Sequence, residues 1–348
     1  MILFACIILF TGTASYLSIS AINDVLAISP ADENVTINIP ENPTYDQIID
    51  LLAEGGLIHR KAFCKLFARF RHLDNTKKYK YLSGEYTLDP SMGVEGMLLK
   101  CMAAPQTADT IKLSFPEGWT ITQMFEKLNK YDVCSMEKLY SALNNVNFEF
   151  DFVEDVPKSE DRYQNLEGYL FPDTYDFYLD ADPNYVIRKF LSSFDTHWTD
   201  KYQERAEKLG YTMDEILTIA SIIQKEAANE TQMKQISSII HNRLRNSVSY
   251  PTLGCDSTSV YITNYVTKVV GLAKGNFFLS LYDTAAIKGL PPGPICNPGQ
   301  DAIEAALYPD DTNYYFFLHD NSGKIYLATS QKEHEANQVK AIKANNSR

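Results

Sequence analysis

The sequence predicts an α+β protein with an N-terminal single transmembrane helix, a small module of strand–helix repeats and a larger mixed α+β domain. Three observations lead to this prediction. Residues 1–23 carry no charged side chain, residues 35–52 and 111–128 repeat one strand–helix pattern, and the rest of the chain mixes helix-period with strand-period segments. We place the transmembrane helix at residues 1–23, the repeat module at residues 24–155 and the larger domain at residues 156–348.

The composition excludes several classes of protein. The chain of 348 residues is 45% hydrophobic and 12% aromatic, which is too rich in core-forming side chains for a disordered protein. Its net charge of -12 argues against nucleic acid as a partner, because phosphates require clustered Lys and Arg. The six cysteines form no C-x-x-C pair and the six histidines show no ligand spacing. The sequence therefore indicates no metal and no organic cofactor.

The N-terminal segment favours an uncleaved membrane anchor. At about 1.5 Å per helical residue, residues 1–23 span roughly 35 Å, which is enough for a bilayer core. The alternative is a cleaved signal peptide, but such a peptide normally begins with a basic region, and no Lys or Arg precedes Arg60. We expect a single-pass protein of the inner or plasma membrane, with the bulk of the chain outside the cytoplasm.

The repeats near the anchor read as small strand–helix units. Residues 35–52 and 111–128 each begin with alternating apolar residues, continue through a proline and then show Thr-x-x-Gln, a capping box that starts a helix. Residues 83–102 form a partial third copy. The simpler interpretation is that these units pack their apolar faces together. The functional interpretation is a glycan-binding module, because small repeats of this kind resemble LysM domains.

One predicted helix, at residues 212–230, carries a carboxyl on its apolar face. Glu226 continues the apolar stripe that contains Ile219 and Ile223, so we expect its side chain to be desolvated and its pKa to be raised. A carboxyl that stays protonated near neutral pH is what general acid catalysis of glycosidic cleavage requires. The alternative is a Glu at the margin of the stripe, paired with a cation. Glu230 falls on the same face and is a competitor, although Ala227-Ala228-Asn229 is an alternative end of the helix.

Three further segments are too irregular to be core filler. Residues 165–178 place Glu167 among aromatic side chains that include Tyr175, a combination that suits sugar rings. Residues 239–261 contain N-R-L and D-S-T motifs, and residues 287–299 form a loop stiffened by four prolines. Taken singly, each segment is equally consistent with a structural turn.

Together these motifs resemble one family. The order EGYLFPDTY, IASIIQKE, NRL, D-x-T and KGLPPGPICNPG is similar to that of the endolytic murein transglycosylases of the YceG/MltG-like group, from about residue 35 to the end. The resemblance implies a lyase that cuts nascent peptidoglycan on the outer face of the membrane, with its catalytic domain at residues 156–348. It assigns catalysis to Glu226. The motif positions expected to bind substrate are Glu167, Tyr175, Asn242, Arg243, Asp256, Thr258 and Asn297.

The mechanism implied by this resemblance needs one carboxyl. Glu226 protonates the oxygen between N-acetylmuramic acid and N-acetylglucosamine and then accepts the proton of the muramoyl C6 hydroxyl, which leaves a 1,6-anhydro end. Peptidoglycan strands are the expected partner, and cell-wall synthases are a candidate class of protein partner. Gln224 departs from the family, which usually has an acid there. Two alternatives stay open: a two-carboxylate muramidase that adds Glu167 or Asp256, and a non-catalytic wall-binding scaffold.

The C-terminal region adds regular elements. We expect a helix at residues 300–307 and a hairpin that turns at residues 320–323, between strands at residues 314–318 and 324–328. A last helix follows, capped by Ser330 and a glutamate three residues later.

Overall fold

The computed structural model describes residues 18–27, 34–40, 43–71, 81–102, 110–145, 148 and 150–346. Within these residues the protein is mixed α and β, as the sequence predicted. The chain forms two compact units. The first comprises the residues up to Ile111 with residues 132–134 and 176–185, and the second comprises residues 112–131, 135–175 and 186 to the C-terminus. The predicted domain division near residue 155 stays a prediction, and the second repeat belongs largely to the second unit.

The first unit is built from short elements. Residues 18–26 are helical and are called α1. The following elements are β1 (Val35–Ile39), α2 (Tyr45–Glu54), α3 (Lys61–Phe70), β2 (Gly84–Leu88), a 3-10 turn (Pro90–Met92) and α4 (Gly93–Lys100). β1 pairs with β2 in antiparallel register, with Val35 opposite Leu88 and Ile39 opposite Gly84. The inward-facing residues of both strands pack with apolar residues of α2 and α4, which gives this unit its own core.

The predicted capping boxes are present in both repeats. The Thr44 hydroxyl accepts the backbone N–H of Gln47, whose side chain accepts the backbone N–H of Thr44. Thr120 and Gln123 form the same reciprocal pair at the start of α5 (Ile121–Lys130). Each box satisfies N–H groups that the first turn of a helix leaves without partners, and so it fixes where the helix begins.

The second unit is predominantly helical. After β3 (Thr110–Ser114) and α5 the chain forms α6 (Met136–Asn145), α7 (Asp151–Glu154), β4 (Thr174–Tyr178), α8 (Pro183–His197), α9 (Asp200–Leu209), α10 (Met213–Glu226) and α11 (Glu230–Arg245), of which β4 and α8 belong partly to the first unit. It continues with α12 (Asp256–Tyr261), a π-helical turn (Ile262–Val266), α13 (Thr267–Val270), α14 (Leu272–Tyr282), α15 (Gln300–Leu307), β5 (Phe316–His319), β6 (Ile325–Ala328) and α16 (Gln331–Asn346). β3 and β4 form a two-stranded sheet, and so do β5 and β6.

The helix that carries Glu226 is shorter than the sequence predicted. Its N-terminus matches the prediction, because Thr212 and Glu215 form a capping box. Its C-terminus does not lie at residue 230, because Ala227 adopts an extended conformation and ends α10 at Glu226. Residue 230 instead begins α11. The small and turn-forming residues Ala-Ala-Asn thus separate the two glutamates onto different helices.

The C-terminal elements follow the sequence closely. α15 occupies the predicted residues 300–307, and β5 pairs with β6 in an antiparallel hairpin, with Phe316 opposite Ala328. The Asp320 carboxylate accepts N–H groups from Ser322 and Lys324, which fixes the turn between the strands. The Ser330 hydroxyl accepts the backbone N–H of Glu333, as expected for a cap of α16.

The membrane anchor falls mostly outside the described residues. Residues 18–23 of the predicted anchor belong to α1, and residues 1–17 lie outside the described part of the chain. Among the residues that are described, no helix is both long enough and apolar enough to cross a bilayer.

Candidate active site

Glu226 occupies the last position of α10. In space, this end of the helix lies beside the start of α12, which comes later in the chain. Its side chain is partly buried, and its Oε1 accepts the backbone N–H of Ser257 at 3.3 Å. Ile222 and Ile223, one turn earlier, are fully buried. The apolar stripe therefore ends in a carboxyl that lies half in the core and half open to the solvent, beside the first turn of α12.

The environment of Glu226 favours its protonated form. Burial raises the pKa of Glu226, the hydroxyl and backbone N–H of Ser257 lower it, and the negative charge of Asp256 raises it. Only the backbone N–H forms a well-aligned hydrogen bond to Glu226, because the buried Ser257 Oγ has no partner of good geometry among the residues that the structure describes. The C-terminal end of a helix also disfavours an additional negative charge. The raised pKa agrees with the expectation from the apolar stripe. Asp256 and Glu226 are the two predicted site carboxyls that the structure brings together.

The loop before α12 is held from two sides. Arg243 donates from its Nη1 to the carbonyls of Thr252 and Leu253, at 3.2 and 3.0 Å. The buried Thr258 hydroxyl donates to the carbonyl of Cys255 at 2.9 Å and lies 3.1 Å from the hydroxyl of Thr284. Arg243 and Thr258, both predicted to bind substrate, therefore bond the backbone of the loop that presents Ser257 to Glu226. Their roles toward substrate stay predictions.

Asn242 performs a similar structural task in α11. Its amide nitrogen donates to the carbonyls of Thr312 and Tyr314, both at 2.9 Å, and its oxygen accepts from Arg245. The Arg243 Nε donates to the carbonyl of Tyr315 at 2.6 Å. The N-R pair of the motif therefore fastens the segment before β5 to α11.

Asn297 is the centre of a buried hydrogen-bond network. Its Oδ1 accepts the backbone N–H groups of Gly168 and Leu170 at 3.0 and 2.9 Å. Its Nδ2 donates to the carbonyl of Trp119 at 3.0 Å and to Oε1 of Glu167 at 3.2 Å. Asn297 has no exposed surface, so its side chain joins three loops instead of lining an open cleft.

Glu167 is enclosed in the same network. Its Oε1 also accepts the backbone N–H of Ile121 at 2.9 Å, and its Oε2 accepts the hydroxyl of Tyr261 at 3.1 Å. Burial raises the pKa of Glu167 to about 8, against the opposing effect of the bonds from Ile121 and Tyr261. Because Tyr261 ends α12 and Ser257 lies in its first turn, one short helix contacts Glu167 at one end and Glu226 at the other.

Tyr175 is part of the aromatic core of the second unit. Its hydroxyl donates to the carbonyl of Phe171 at 2.6 Å, and its ring packs against those of Phe115 and Phe190 with centroid distances of 6.1 and 4.6 Å. The side chain is 7% exposed, so little of the ring is open to a sugar. Its predicted stacking on substrate stays a prediction.

Sequence reasoning missed two groups near Glu226. Ser257 bonds Glu226 directly, although the motif drew attention only to its neighbours on either side. Glu117, in the proline turn before α5, is linked to the Gln224 side chain, and burial and the charge of Asp301 raise its pKa. Gln224 in turn accepts the backbone N–H of Gly299 at 2.9 Å. The available signal was the proline–glutamate pair that both repeats share, with Glu41 in the first repeat and Glu117 in the second.

A partly buried carboxyl with a raised pKa, held at the end of a helix and partly open to solvent, defines a candidate acid–base enzyme. No group of His, Cys, Asp and Glu within the described residues could hold a metal ion. A family model described as YceG-like matches residues 37–340. The chain belongs to the YceG-like family.

Named relatives extend this assignment. The chain is 26% identical over 322 residues to a protein of Bacillus subtilis (strain 168) named "Endolytic murein transglycosylase", covering 90% of this chain and 86% of that protein. It is also 26% identical to a protein of the same name from Streptococcus pneumoniae serotype 2, of which it spans 60%. A crystal structure of a yceG-like protein from Listeria monocytogenes, 27% identical, matches with a TM-score of 0.56 over 88% of this chain and 99% of that one.

The buried carboxyl of Glu167 predicts a specific pH dependence of stability. An unfolded glutamate ionises near its ordinary pKa of about 4.3, whereas the folded one has a pKa of about 8. Between these values the folded state binds more protons, so stability falls as the pH rises through this window. Glu167→Gln mimics the protonated form and removes the titration. Relative to the parent, the variant should gain a few kcal/mol in unfolding free energy from about pH 5 to about pH 8.

Urea unfolding of both proteins at the two pH values measures this difference. Glu54→Gln, an exposed substitution in α2, is the control and should follow the parent at both pH values. A constant gap between Glu167→Gln and the parent would show that Glu167 does not change its protonation between these conditions.

Proposed function

We propose that this chain is an endolytic murein transglycosylase, which cuts the bond between N-acetylmuramic acid and N-acetylglucosamine within nascent glycan strands and leaves a 1,6-anhydro end. The observation that carries the proposal is the position of Glu226, a partly buried carboxyl with a raised pKa at the end of α10. The family membership and the named relatives supply the substrate class.

In the first step Glu226 acts as the acid. Its proton passes to the glycosidic oxygen as the bond to C1 of the muramoyl residue breaks, and positive charge develops on that ring. Desolvation of Glu226 favours this step, because it keeps the proton on the carboxyl until the leaving oxygen gains negative charge.

In the second step the same residue acts as the base. The C6 hydroxyl of the muramoyl residue attacks C1 within the same sugar, and its proton goes to the Glu226 carboxylate. The Ser257 N–H, bonded to Oε1, stabilises this carboxylate between the two steps. The enzyme returns to its starting protonation state, and no water is consumed.

We also propose that the first unit binds glycan strands. Its order β1, α2, α3 and β2, with the two strands paired in antiparallel register, resembles the strand–helix–helix–strand order of LysM domains.

We further propose that residues 1–23 anchor the chain in the inner or plasma membrane as a single span, with the remainder outside the cytoplasm. Support for this anchor comes from the charge-free sequence alone.

Replacing the catalytic glutamate tests the activity. Glu226→Gln preserves size and hydrogen bonding but cannot transfer a proton, so cleavage of purified peptidoglycan should fall by at least about a hundred-fold with an unchanged melting temperature. Glu230→Gln is the matched control, because Glu230 is exposed at the start of α11. Mass spectrometry of the fragments should find anhydro ends. Reducing ends with added water would support the two-carboxylate muramidase instead, and full cellular function of Glu226→Gln would support the scaffold.

The pH profile of cleavage tests the electrostatics of Glu226. Because the acid form starts the reaction, kcat/KM should fall as the pH rises through the raised pKa of Glu226. Asp256→Asn removes a charge that raises this pKa, so the alkaline limb should move to lower pH. Ser257→Ala removes a hydroxyl that lowers the pKa, so the limb should move to higher pH. Shifts of both variants in the same direction would contradict the assignment.

The anchor is tested by extraction. If residues 1–23 span the membrane uncleaved, the protein should remain with the membrane fraction after a carbonate wash and keep its original N-terminus. A soluble mature form that begins between about Ala21 and Ala27 would show that the segment is a cleaved signal peptide.

A further inference from the structure

Basic charge is concentrated in one short part of this acidic protein. No Lys or Arg precedes Arg60, and no Asp or Glu lies between Gly55 and Leu73. Within this stretch five cations fall on or beside α3: Arg60, Lys61, Lys65, Arg69 and Arg71. A basic amphipathic helix is typical of proteins that lie on a membrane surface.

The outer face of α3 is apolar and exposed. Phe63, Leu66 and Phe70 are 40%, 66% and 80% exposed, and their spacing places them on one side of the helix. On the opposite side Cys64 and Ala68 are fully buried in the core of the first unit. An exposed apolar face of this kind, bordered by cations, marks an interaction surface.

α1 presents a second apolar surface beside α3. Ile19, Ile22 and Leu26 are 68%, 43% and 65% exposed. The two helices are joined by the buried Asp24, whose Oδ2 accepts the backbone N–H groups of His59 at 2.8 Å and Arg60 at 2.5 Å. The Arg60 Nε donates to the hydroxyl of Ser20 at 3.0 Å. The N-terminus of α3 is therefore fixed to the helix that contains the last six residues of the charge-free N-terminal sequence.

A cavity of about 680 Å³ opens where the two helices meet. Its walls combine apolar side chains, among them Ala21, Ile22 and Phe63, with the cations Arg60 and Lys61. This volume lies in the range of ordinary ligand sites. A site with both apolar and cationic walls is suited to a ligand that carries an acyl chain next to an anionic group.

We propose that α3, together with α1 and the cavity between them, binds the anionic phospholipid surface of the membrane. Phe63, Leu66 and Phe70 enter the boundary between head groups and acyl chains, and the cations meet the lipid phosphates. The proposal rests on the membrane anchorage proposed above, because an anchored chain emerges from the bilayer at α1. The first unit is thereby docked on the membrane and does not swing freely from the anchor.

Arg69 is the cation of α3 that is most available for this role. Lys65, by contrast, is 25% exposed and pairs with Asp46 at 2.7 Å and with Asp50 at 3.3 Å. Lys61 pairs with Asp50, and Arg71 pairs with Glu95 at 2.9 Å, but these ion pairs are substantially exposed and therefore weak. Within the described residues no acidic side chain forms an ion pair with Arg69, which is exposed next to Phe70.

Spin labels on the full-length chain test the proposal. A nitroxide is attached in turn to Leu66→Cys, Phe70→Cys and, as the control in the same unit, the exposed Glu54→Cys, each in a background where Cys6 is replaced by alanine. The five described cysteines are buried and stay unlabelled. The protein is reconstituted in vesicles of phosphatidylcholine with or without phosphatidylglycerol. Collision rates with oxygen and with a water-soluble nickel complex report the depth of each label.

Labels at positions 66 and 70 should be shielded from nickel and accessible to oxygen when phosphatidylglycerol is present, while the label at position 54 stays exposed to water. Because one cation near an anionic surface contributes about 1 kcal/mol, Arg69→Gln should shift the ratio of docked to undocked labels roughly five-fold toward the undocked state. Docking that is independent of both phosphatidylglycerol and Arg69 would overturn the assignment to anionic lipid.

Two other outcomes distinguish the proposed docking surface from the membrane anchor on which it rests. If the chain sediments with vesicles but the labels at positions 66 and 70 stay exposed to water, the anchor stands and the docking surface is overturned. If the chain does not sediment with the vesicles at all, the proposed anchor is overturned as well. Neither result bears on cleavage, which is measured separately with Glu226→Gln.

Discussion

The geometry of the catalytic region depends on the side chain of Asn297. This single buried amide bonds the backbone of two segments that are far apart in sequence. One contains Trp119, and the other contains Gly168 and Leu170. Its own backbone is bonded to the same turn, because Asn297 donates to the carbonyl of Trp119 and accepts the N–H of Gly118. A buried amide whose donors and acceptor are all satisfied specifies one arrangement of these loops, because any alternative would leave polar groups without partners.

The C-terminal part of α10 is bonded to the loops that Asn297 joins. Lys225 donates to the carbonyl of Gly118 at 3.3 Å, and Gln224 accepts the N–H of Gly299. Earlier in the helix the Ser221 hydroxyl accepts the N–H of Ile295 at 3.0 Å. Three polar residues thus hold α10 against the loops around Asn297, and Glu226 follows directly after them. The position of the candidate acid is therefore set by residues that have no part in proton transfer.

The sequence predicted the local structure well where the signal is itself local. Capping boxes at Thr44 and Thr120 fixed two helix starts, because each involves residues only three positions apart. The hairpin of β5 and β6 was visible for the same reason. The helix predicted to reach residue 230 ends at Glu226, at the earlier of the two ends that the sequence allowed, because the backbone of Ala227 is extended.

The roles of the motif residues could not be predicted from their chemistry. Glu167, Asn297 and Thr258 have the polar groups that a sugar-binding cleft would need, yet the structure buries all three and satisfies them within the protein. Whether an amide or a carboxyl faces a ligand or a backbone depends on contacts between residues up to 130 positions apart. The pairing of β1 with β2 is a tertiary outcome of the same kind, since three similar units offered several partners.

The packing around Gln224 gives a physical reason for an amide at this position, where the family resemblance leads one to expect an acid. Its Oε1 accepts the N–H of Gly299, and its side chain also bonds Glu117 in a way that lowers the pKa of that carboxyl. Glu117 occupies the space over Gly299 so closely that a Cβ there would lie 2.0 Å from its Cδ, so a side chain at position 299 would displace the Glu117 carboxyl. An ionised carboxylate at position 224 could accept from Gly299 but would repel Glu117, and the two acids would have to share a proton. The amide supplies an acceptor on one side and a donor on the other. It therefore lowers the pKa of Glu117, against the larger raising effect of burial, and places no second charge beside the end of α10 that carries Glu226.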